Sequence, residues 1–104
     1  MADQSPRTKE NVLEKTREKV KDPDQWRVLL LNDDYTPMDF VVRVLESIFQ
    51  RRPAEAYRVM MQVHTQGHGI AGVYVHEVAE TKAAETIDLA QGAGYPLQAT
   101  IEKV

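Results

Sequence analysis

Three polar residues that can accept hydrogen bonds directly follow an apolar run in this sequence. The run is Val28–Leu31, and the polar residues are Asn32, Asp33 and Asp34. Amide and carboxylate oxygens at the end of a buried strand can receive the donors of a bound group, whereas the same residue types also favour simple turns. Because Asp33 and Asp34 are adjacent, they can point to different sides, so that one binds while the other braces the loop.

A second candidate for chemistry is His64, which the helical spacing places on an apolar helix face. A ring nitrogen there can accept a hydrogen bond from a ligand, although a lone histidine on such a face is also typical of a core residue. Together with Asp33, Asp34 and His68 it could form a metal site, and the chain would then be a small metal-dependent hydrolase that uses Asp33, Asp34 and His64. No nucleophile elbow, phosphate-binding glycine loop or catalytic triad accompanies these residues.

The elements around these residues follow from hydrophobic periodicity. The first predicted strand is Trp26–Asn32, and the predicted helix Pro37–Arg51 begins with Thr36 as N-cap and Asp39 in its first turn. The remaining predicted elements are a helix from Pro53 to near Gly67, a strand Ile70–His76, a helix Ala79–Gln91 and a strand Leu97–Val104. The order β-α-α-β-α-β predicts an α+β sandwich, in which a three-stranded, mostly antiparallel sheet carries three helices on one face.

Composition narrows the class of protein. The chain has 104 residues, a formal net charge of -3 and no cysteine, so we expect one domain without disulfides and no nucleic-acid partner. No apolar run approaches the roughly 20 residues of a membrane span, and a cytoplasmic protein without a membrane partner is expected. Residues 1–24 are rich in charge and poor in apolar side chains, which predicts a disordered, mobile extension before a core of residues 25–104.

Several segments together resemble one protein family, the ClpS adaptors of the bacterial ATP-dependent Clp protease. The similar segments are Val28–Val42, Met60–His64, Gly72–Tyr74, Glu77–Lys82 and Gly94–Leu97. The resemblance implies a binding protein rather than an enzyme, and it implies no cofactor. Such adaptors bind proteins that carry an N-degron, an N-terminal Leu, Phe, Tyr or Trp under the N-end rule. They deliver these substrates to the N-terminal domain of an AAA+ unfoldase, ClpA-like or ClpC-like, for protein degradation by ClpP.

The resemblance also implies a role for individual residues. The implied ligands of the substrate's α-amino group are Asn32, Asp33, Asp34 and His64; the side-chain pocket is Thr36, Met38, Val41, Met60, Val63 and Leu97; and the unfoldase docking surface is Glu77, Glu80 and Lys82. Two other interpretations of the same sequence stay open at this point. One is the metal-dependent hydrolase described above, and the other is a structural interaction domain in which the acidic segment is only a turn.

Overall fold

The computed structural model describes residues 24–104, and the extension predicted for residues 1–24 lies, apart from Asp24, outside the described part of the chain. The elements are β1 (Gln25–Leu31), α1 (Met38–Ser47), α2 (Pro53–Gln66), β2 (His68–Val75), α3 (His76–Ala93) and β3 (Gln98–Lys103). Their order and the antiparallel pairing of the three strands confirm the predicted α+β fold. No helix within residues 24–104 is long and apolar enough to cross a bilayer.

The most apolar strand, β1, lies at the centre of the sheet, whose strand order is β2-β1-β3. Val28 and Leu30 on one of its faces are both 0% exposed, whereas Leu29 and Leu31 on the other face are partly exposed. Successive side chains of a strand point to opposite faces, so this alternation shows that the core covers one face of the sheet. The end of β1 is therefore held rigidly, and it supports the loop that follows.

The core is formed by the apolar stripes of the helices against that covered face. Besides the two strand residues, its buried members are Phe40, Val41, Val44, Leu45, Phe49, Ala56, Val59, Met60, Val63, Ala71, Ala79, Ala83, Ala90 and Leu97. Tyr57 was expected on the buried side of α2, but it is 58% exposed. Alanines supply most of the buried side chains of α3, which lets this helix lie close to the sheet.

Helix α2 begins and ends where the sequence predicts. Pro53 occupies its first turn, where a missing N–H costs nothing, and Gly67 ends it in the left-handed conformation with φ 91°. Two residues later, a side chain at Gly69 would lie within 2.9 Å of a methyl group of Val63. Glycine is needed at this position because β2 passes so close to α2. The sharp turn at Gly67 brings β2 back along the last turns of α2, which carry His64.

Three details of the predicted elements are wrong for identifiable reasons, apart from differences of one to three residues at other element ends. The N-cap of α1 is Pro37 rather than Thr36, because the Thr36 hydroxyl is bonded to Asp33 instead of to the helix. Helix α1 ends at Ser47 and not at Arg51, since the chain turns through a left-handed residue, Gln50, with φ 51°. His76, expected on a strand, is the first residue of α3, because β2 passes into this helix without a loop.

Candidate functional site

The polar loop between β1 and α1 is fixed at both of its ends. At the first end, the backbone N–H of Asn32 donates to the carbonyl oxygen of Gly67 at 2.9 Å. This bond joins the end of β1 to the end of α2, so the loop and the last turn of α2 lie side by side. At the second end, Pro37 leads directly into α1. The loop therefore presents its side chains from a rigid frame, as a selective binding site requires.

Asp33 is the internal brace of this loop. Its Oδ1 accepts the backbone N–H groups of Tyr35 at 2.8 Å and Thr36 at 2.7 Å, and its Oδ2 accepts the Thr36 hydroxyl at 2.7 Å. Burial alone would raise the pKa of the Asp33 carboxyl, but these three hydrogen bonds to its charged form outweigh burial and hold its pKa below the usual value of 3.8. Both carboxylate oxygens are therefore occupied by the loop itself.

Asn32, Asp34 and His64 differ from Asp33 in how their side chains are used. All three residues are exposed. Within residues 24–104, their side chains make no hydrogen bond to another residue, whereas that of Asp33 accepts three. An amide, a carboxylate and an imidazole thus face one hollow, and no residue of the described part of the chain occupies their acceptor atoms.

The hollow is a cleft of about 340 Å³ with a polar side and an apolar side. Its lining residues are Asn32, Asp33, Asp34, Tyr35, Thr36, Pro37, Met38, Val41, Met60, Val63 and His64. The apolar wall comes from the core itself, because Val41, Met60 and Val63 are buried, while Met38 is 44% exposed on this wall. A volume near the lower end of the usual range for small-ligand sites suits one side chain and the backbone attached to it.

The cleft agrees with most, but not all, of the pocket expected from the sequence. Leu97 does not line it: this residue is 1% exposed and belongs to the hydrophobic core. Tyr35 and Pro37 line the cleft although the sequence reasoning did not select them. For Tyr35 a signal was available, because a large aromatic residue directly follows the acidic pair in a loop, where burial in a core is not expected.

No metal centre is formed by the residues expected for it. Across residues 24–104, no three His, Asp or Glu side chains come together in a group that could hold a metal ion. Asp33 is one of the three ligands that the hydrolase interpretation needs, and its carboxylate is already bonded to Tyr35 and Thr36. The geometry therefore favours the binding of a hydrogen-bond donor over the binding of a metal.

The expected docking residues lie on α3, away from the cleft lining, and they differ in how far their side chains are exposed. Glu77 and Glu80 are exposed near the beginning of the helix. Lys82 is only partly exposed, because its ammonium group donates to the carbonyl oxygen of Ile48 at 2.6 Å and lies 5.4 Å from the ring centre of Tyr74. Both glutamates are thus exposed to a partner surface, although Glu80 Oε1 lies 3.8 Å from Nδ1 of His76, whereas the charged group of Lys82 is bound to the end of α1.

Comparison with known proteins gives a consistent result. The family described as ATP-dependent Clp protease adaptor protein ClpS matches residues 21–100. A ClpS adapter of Maricaulis maris is 57% identical over 89 residues, which cover 86% of this chain and 82% of the relative. One from Rhodospirillum centenum is 48% identical over 101 residues, covering 97% and 92%. The solved structure of Agrobacterium tumefaciens ClpS2 bound to L-phenylalaninamide is similar with a TM-score of 0.76 and 44% identity, over 79% of this chain and 99% of that one.

Proposed function

This chain belongs to the ClpS family of ATP-dependent Clp protease adaptors, and from that premise we propose that its cleft binds the N-terminal residue of substrate proteins. The first residue of such a substrate is Leu, Phe, Tyr or Trp. The adaptor then delivers the bound substrate to the AAA+ unfoldase of the Clp protease, and it performs no chemistry itself. The observation that carries this proposal is the cleft, in which unoccupied acceptors stand beside an apolar hollow.

The polar side of the cleft suits a free α-ammonium group. Such a group has three donors and a positive charge, and removing it from water without acceptors is costly. We propose that Asn32 Oδ1, the Asp34 carboxylate and a neutral His64 nitrogen each accept one of these donors. Asp33 supports them indirectly, because it fixes the loop on which Asn32 and Asp34 stand. A blocked or internal residue lacks both the charge and the full set of donors, so it leaves acceptors unpaired.

The apolar side of the cleft suits the substrate's first side chain. Burying a Leu or Phe side chain contributes roughly 1.5–3 kcal/mol. Met38 and Met60 are unbranched and polarizable, so one wall can adapt to both leucine and aromatic rings. Thr36 and Val63 complete this wall in our proposal, and Leu97 supports it from the core. Agrobacterium tumefaciens ClpS2, whose structure contains L-phenylalaninamide, supports this assignment, because that compound joins a free α-amino group to a benzyl side chain.

Fluorescence titration with short labelled peptides tests the binding step. Peptides that begin with a free Phe, Leu, Tyr or Trp should bind with dissociation constants in the micromolar range, about -8 kcal/mol. The same Phe peptide with an acetylated N-terminus should bind at least about tenfold more weakly, because it loses charge-assisted hydrogen bonds. A peptide that begins with Ser is the control for the apolar pocket. Equal affinity for the free and acetylated Phe peptides would contradict the proposal.

The delivery step rests on α3. We propose that Glu77, Glu80 and Lys82 form the surface that docks on the N-terminal domain of a ClpA-like or ClpC-like unfoldase. The exposed glutamates make the contact, and Lys82 acts at least in part by holding α3 against the end of α1.

Charge reversal tests this docking surface. The double variant Glu77→Lys and Glu80→Lys should reduce the affinity for the isolated N-terminal domain at least about tenfold, because it reverses the charge of the two side chains proposed to make the contact. Peptide binding in the cleft should continue in this variant. Glu85→Lys, which changes an exposed glutamate further along the same helix, is the matched control and should change docking little. Docking of the double variant at the affinity of the unchanged protein would place the surface elsewhere.

A further inference from the structure

Tyr35 is a large aromatic residue in the cleft lining that the proposed binding of the first residue does not use. It is 78% exposed, the largest exposed fraction among the exposed large hydrophobic residues within residues 24–104. Tyr35 is nevertheless one of the residues that line the cleft. A tyrosine exposed to this extent has most of its apolar ring in water. A bound chain that covers the ring therefore lowers the free energy of the complex.

The backbone of Tyr35 is fixed although its ring is exposed. Its N–H donates to Asp33 Oδ1 at 2.8 Å, within the same set of bonds that orders Thr36. The ring is therefore attached to the rigid part of the loop. It follows Asp34, the carboxylate proposed to hold the α-ammonium group, by one position. A substrate whose first residue is held at Asp34 must leave the cleft across its rim, and its second residue is then within reach of a residue adjacent to Asp34.

The charges around this rim are of one sign. The lining includes the carboxylates of Asp33 and Asp34 but no lysine or arginine. Asp39, in the first turn of α1, adds an exposed carboxylate to the adjoining segment. The α-ammonium group compensates only part of this negative charge, so a positive side chain at the second position of the substrate is favoured here.

We infer that Tyr35 forms a second subsite, which binds the side chain of the substrate's second residue and prefers arginine there. A guanidinium group is planar and can stack on the tyrosine ring while its charge faces the acidic rim. This inference rests on the proposed function, since it requires the first residue to occupy the cleft. It assigns to the adaptor a sequence preference beyond the first residue.

The test compares two peptides that both begin with a free Phe and differ only in the second residue, Arg or Ala. The measured quantity is the ratio of their affinities in each protein variant. In the unchanged protein the Arg peptide should bind about three- to fivefold more tightly. In Tyr35→Ala this ratio should fall to within about 1.5-fold, whereas Tyr35→Phe, which keeps the ring, should retain it. Tyr57→Ala removes an exposed tyrosine outside the cleft lining and is the matched control.

The possible outcomes distinguish a failure of the second subsite from a failure of the proposed function. A ratio near one in the unchanged protein, or a ratio that Tyr35→Ala leaves intact, overturns the subsite while the binding of the first residue stands. If the free Phe-Ala peptide binds no better than its acetylated form, the proposed function fails and the subsite fails with it. The Tyr35 side chain makes none of the loop's hydrogen bonds, so Tyr35→Ala leaves the bonds of Asp33 in place. Circular dichroism of each variant checks that the fold is kept.

Discussion

The polar groups at the two ends of helix α1 are used in opposite ways. At its beginning, the loop leaves the side chains of Asn32 and Asp34 exposed beside the cleft. At its end, long-range hydrogen bonds run in both directions: Lys82 of α3 donates to the Ile48 carbonyl at 2.6 Å, and Arg51, just after α1, donates to the Ala71 carbonyl of β2 at 2.9 Å. One end thus keeps its acceptors for a ligand, and the other uses its polar groups to join elements of the fold.

The end of α1 from Ile48 to Arg51 is called the closed end here, and several elements of the fold contact one another at it. Ala71 is the extra residue where the pairing of β1 and β2 shifts, and its carbonyl is the one that Arg51 satisfies. Lys82 also lies over the rings of Phe49 and Tyr74, at 5.9 and 5.4 Å from their centres. Burial raises the pKa of Tyr74, as expected for a phenol partly removed from water, although the nearby charge of Arg51 opposes this. Helices α1 and α3 and the edge strand β2 meet at this point.

The beginning of α1, with the loop of residues 32–37, is called the open end here. The comparison predicts that changing its exposed side chains, Asn32 and Asp34, affects binding and leaves stability unchanged. Asp34→Asn keeps the shape of the side chain but removes its charge, so the bound α-ammonium group loses a charge-assisted hydrogen bond. We expect a free Phe peptide to bind about 10- to 100-fold more weakly in a fluorescence titration. The free energy of unfolding, measured with urea, should change by less than about 0.5 kcal/mol, because this side chain is exposed.

The control for this prediction is Asp39→Asn, which removes an exposed carboxylate from the first turn of α1 outside the cleft lining. It should change the affinity by less than about threefold, since it affects the bound charge only at a distance. Equal losses in Asp34→Asn and Asp39→Asn would mean that the general negative charge of this region, and not a contact with Asp34, attracts the substrate. The assignment of Asp34 as a ligand would then be wrong.

At the closed end the opposite result is expected. Lys82→Met keeps most of the apolar stem of the side chain but removes the ammonium group, which leaves the Ile48 carbonyl without this donor. The free energy of unfolding should fall by about 1.5–3 kcal/mol, the cost of losing a hydrogen bond to a charged group in a partly buried site. Urea denaturation measures this loss. Peptide affinity of the folded protein should stay within about twofold, because Lys82 is not part of the cleft lining.

Lys103→Met provides the matched control for Lys82→Met. Lys103 forms an ion pair with Asp24 at 3.2 Å, but both side chains are more than half exposed. Such surface pairs contribute less than about 1 kcal/mol, so the control should lose far less stability. If both variants lose the same amount, the contact of Lys82 with Ile48 does not hold the end of α1. The docking surface proposed on α3 would then have no connection to this end of the helix.

The two ends also explain which parts of the structure the sequence could predict. The beginning of α1 carries local signals, Pro37 and Asp39, and its start was predicted to within one residue. The end carries none: no glycine occurs there, and the residue in the left-handed conformation is Gln50. The donor to the Ile48 carbonyl comes from Lys82, 34 positions later in the chain. A local pattern contains no information about such a contact, so the helix was predicted too long.

The same distinction applies to the candidate site. Hydrophobic periodicity with Pro53 and Gly67 was enough to predict the order of elements and to place His64 on the last turns of α2. Whether Asp33 or Asp34 braces the loop could not be predicted, since it depends on the backbone conformation between β1 and Thr36. The loop position of Tyr35 indicated that its side chain stays outside the core, but its place in the cleft lining depends on how α2 packs beside the loop, which the sequence alone does not show.

The smallest expected effect concerns Asp33, whose carboxylate is already hydrogen-bonded to Tyr35 and Thr36 within the loop. Because its pKa is lowered in the folded protein, it stabilises the fold fully above the ordinary value of 3.8, and this contribution is lost as the pH falls through the lowered value. We expect the difference in free energy of unfolding between the unchanged protein and Asp33→Asn to be constant from pH 7 to about 5 and to shrink below about 4. Other carboxylates titrate in both proteins and cancel in this difference. A difference that stays constant down to pH 3 would contradict the assignment of Asp33 as the brace of the loop.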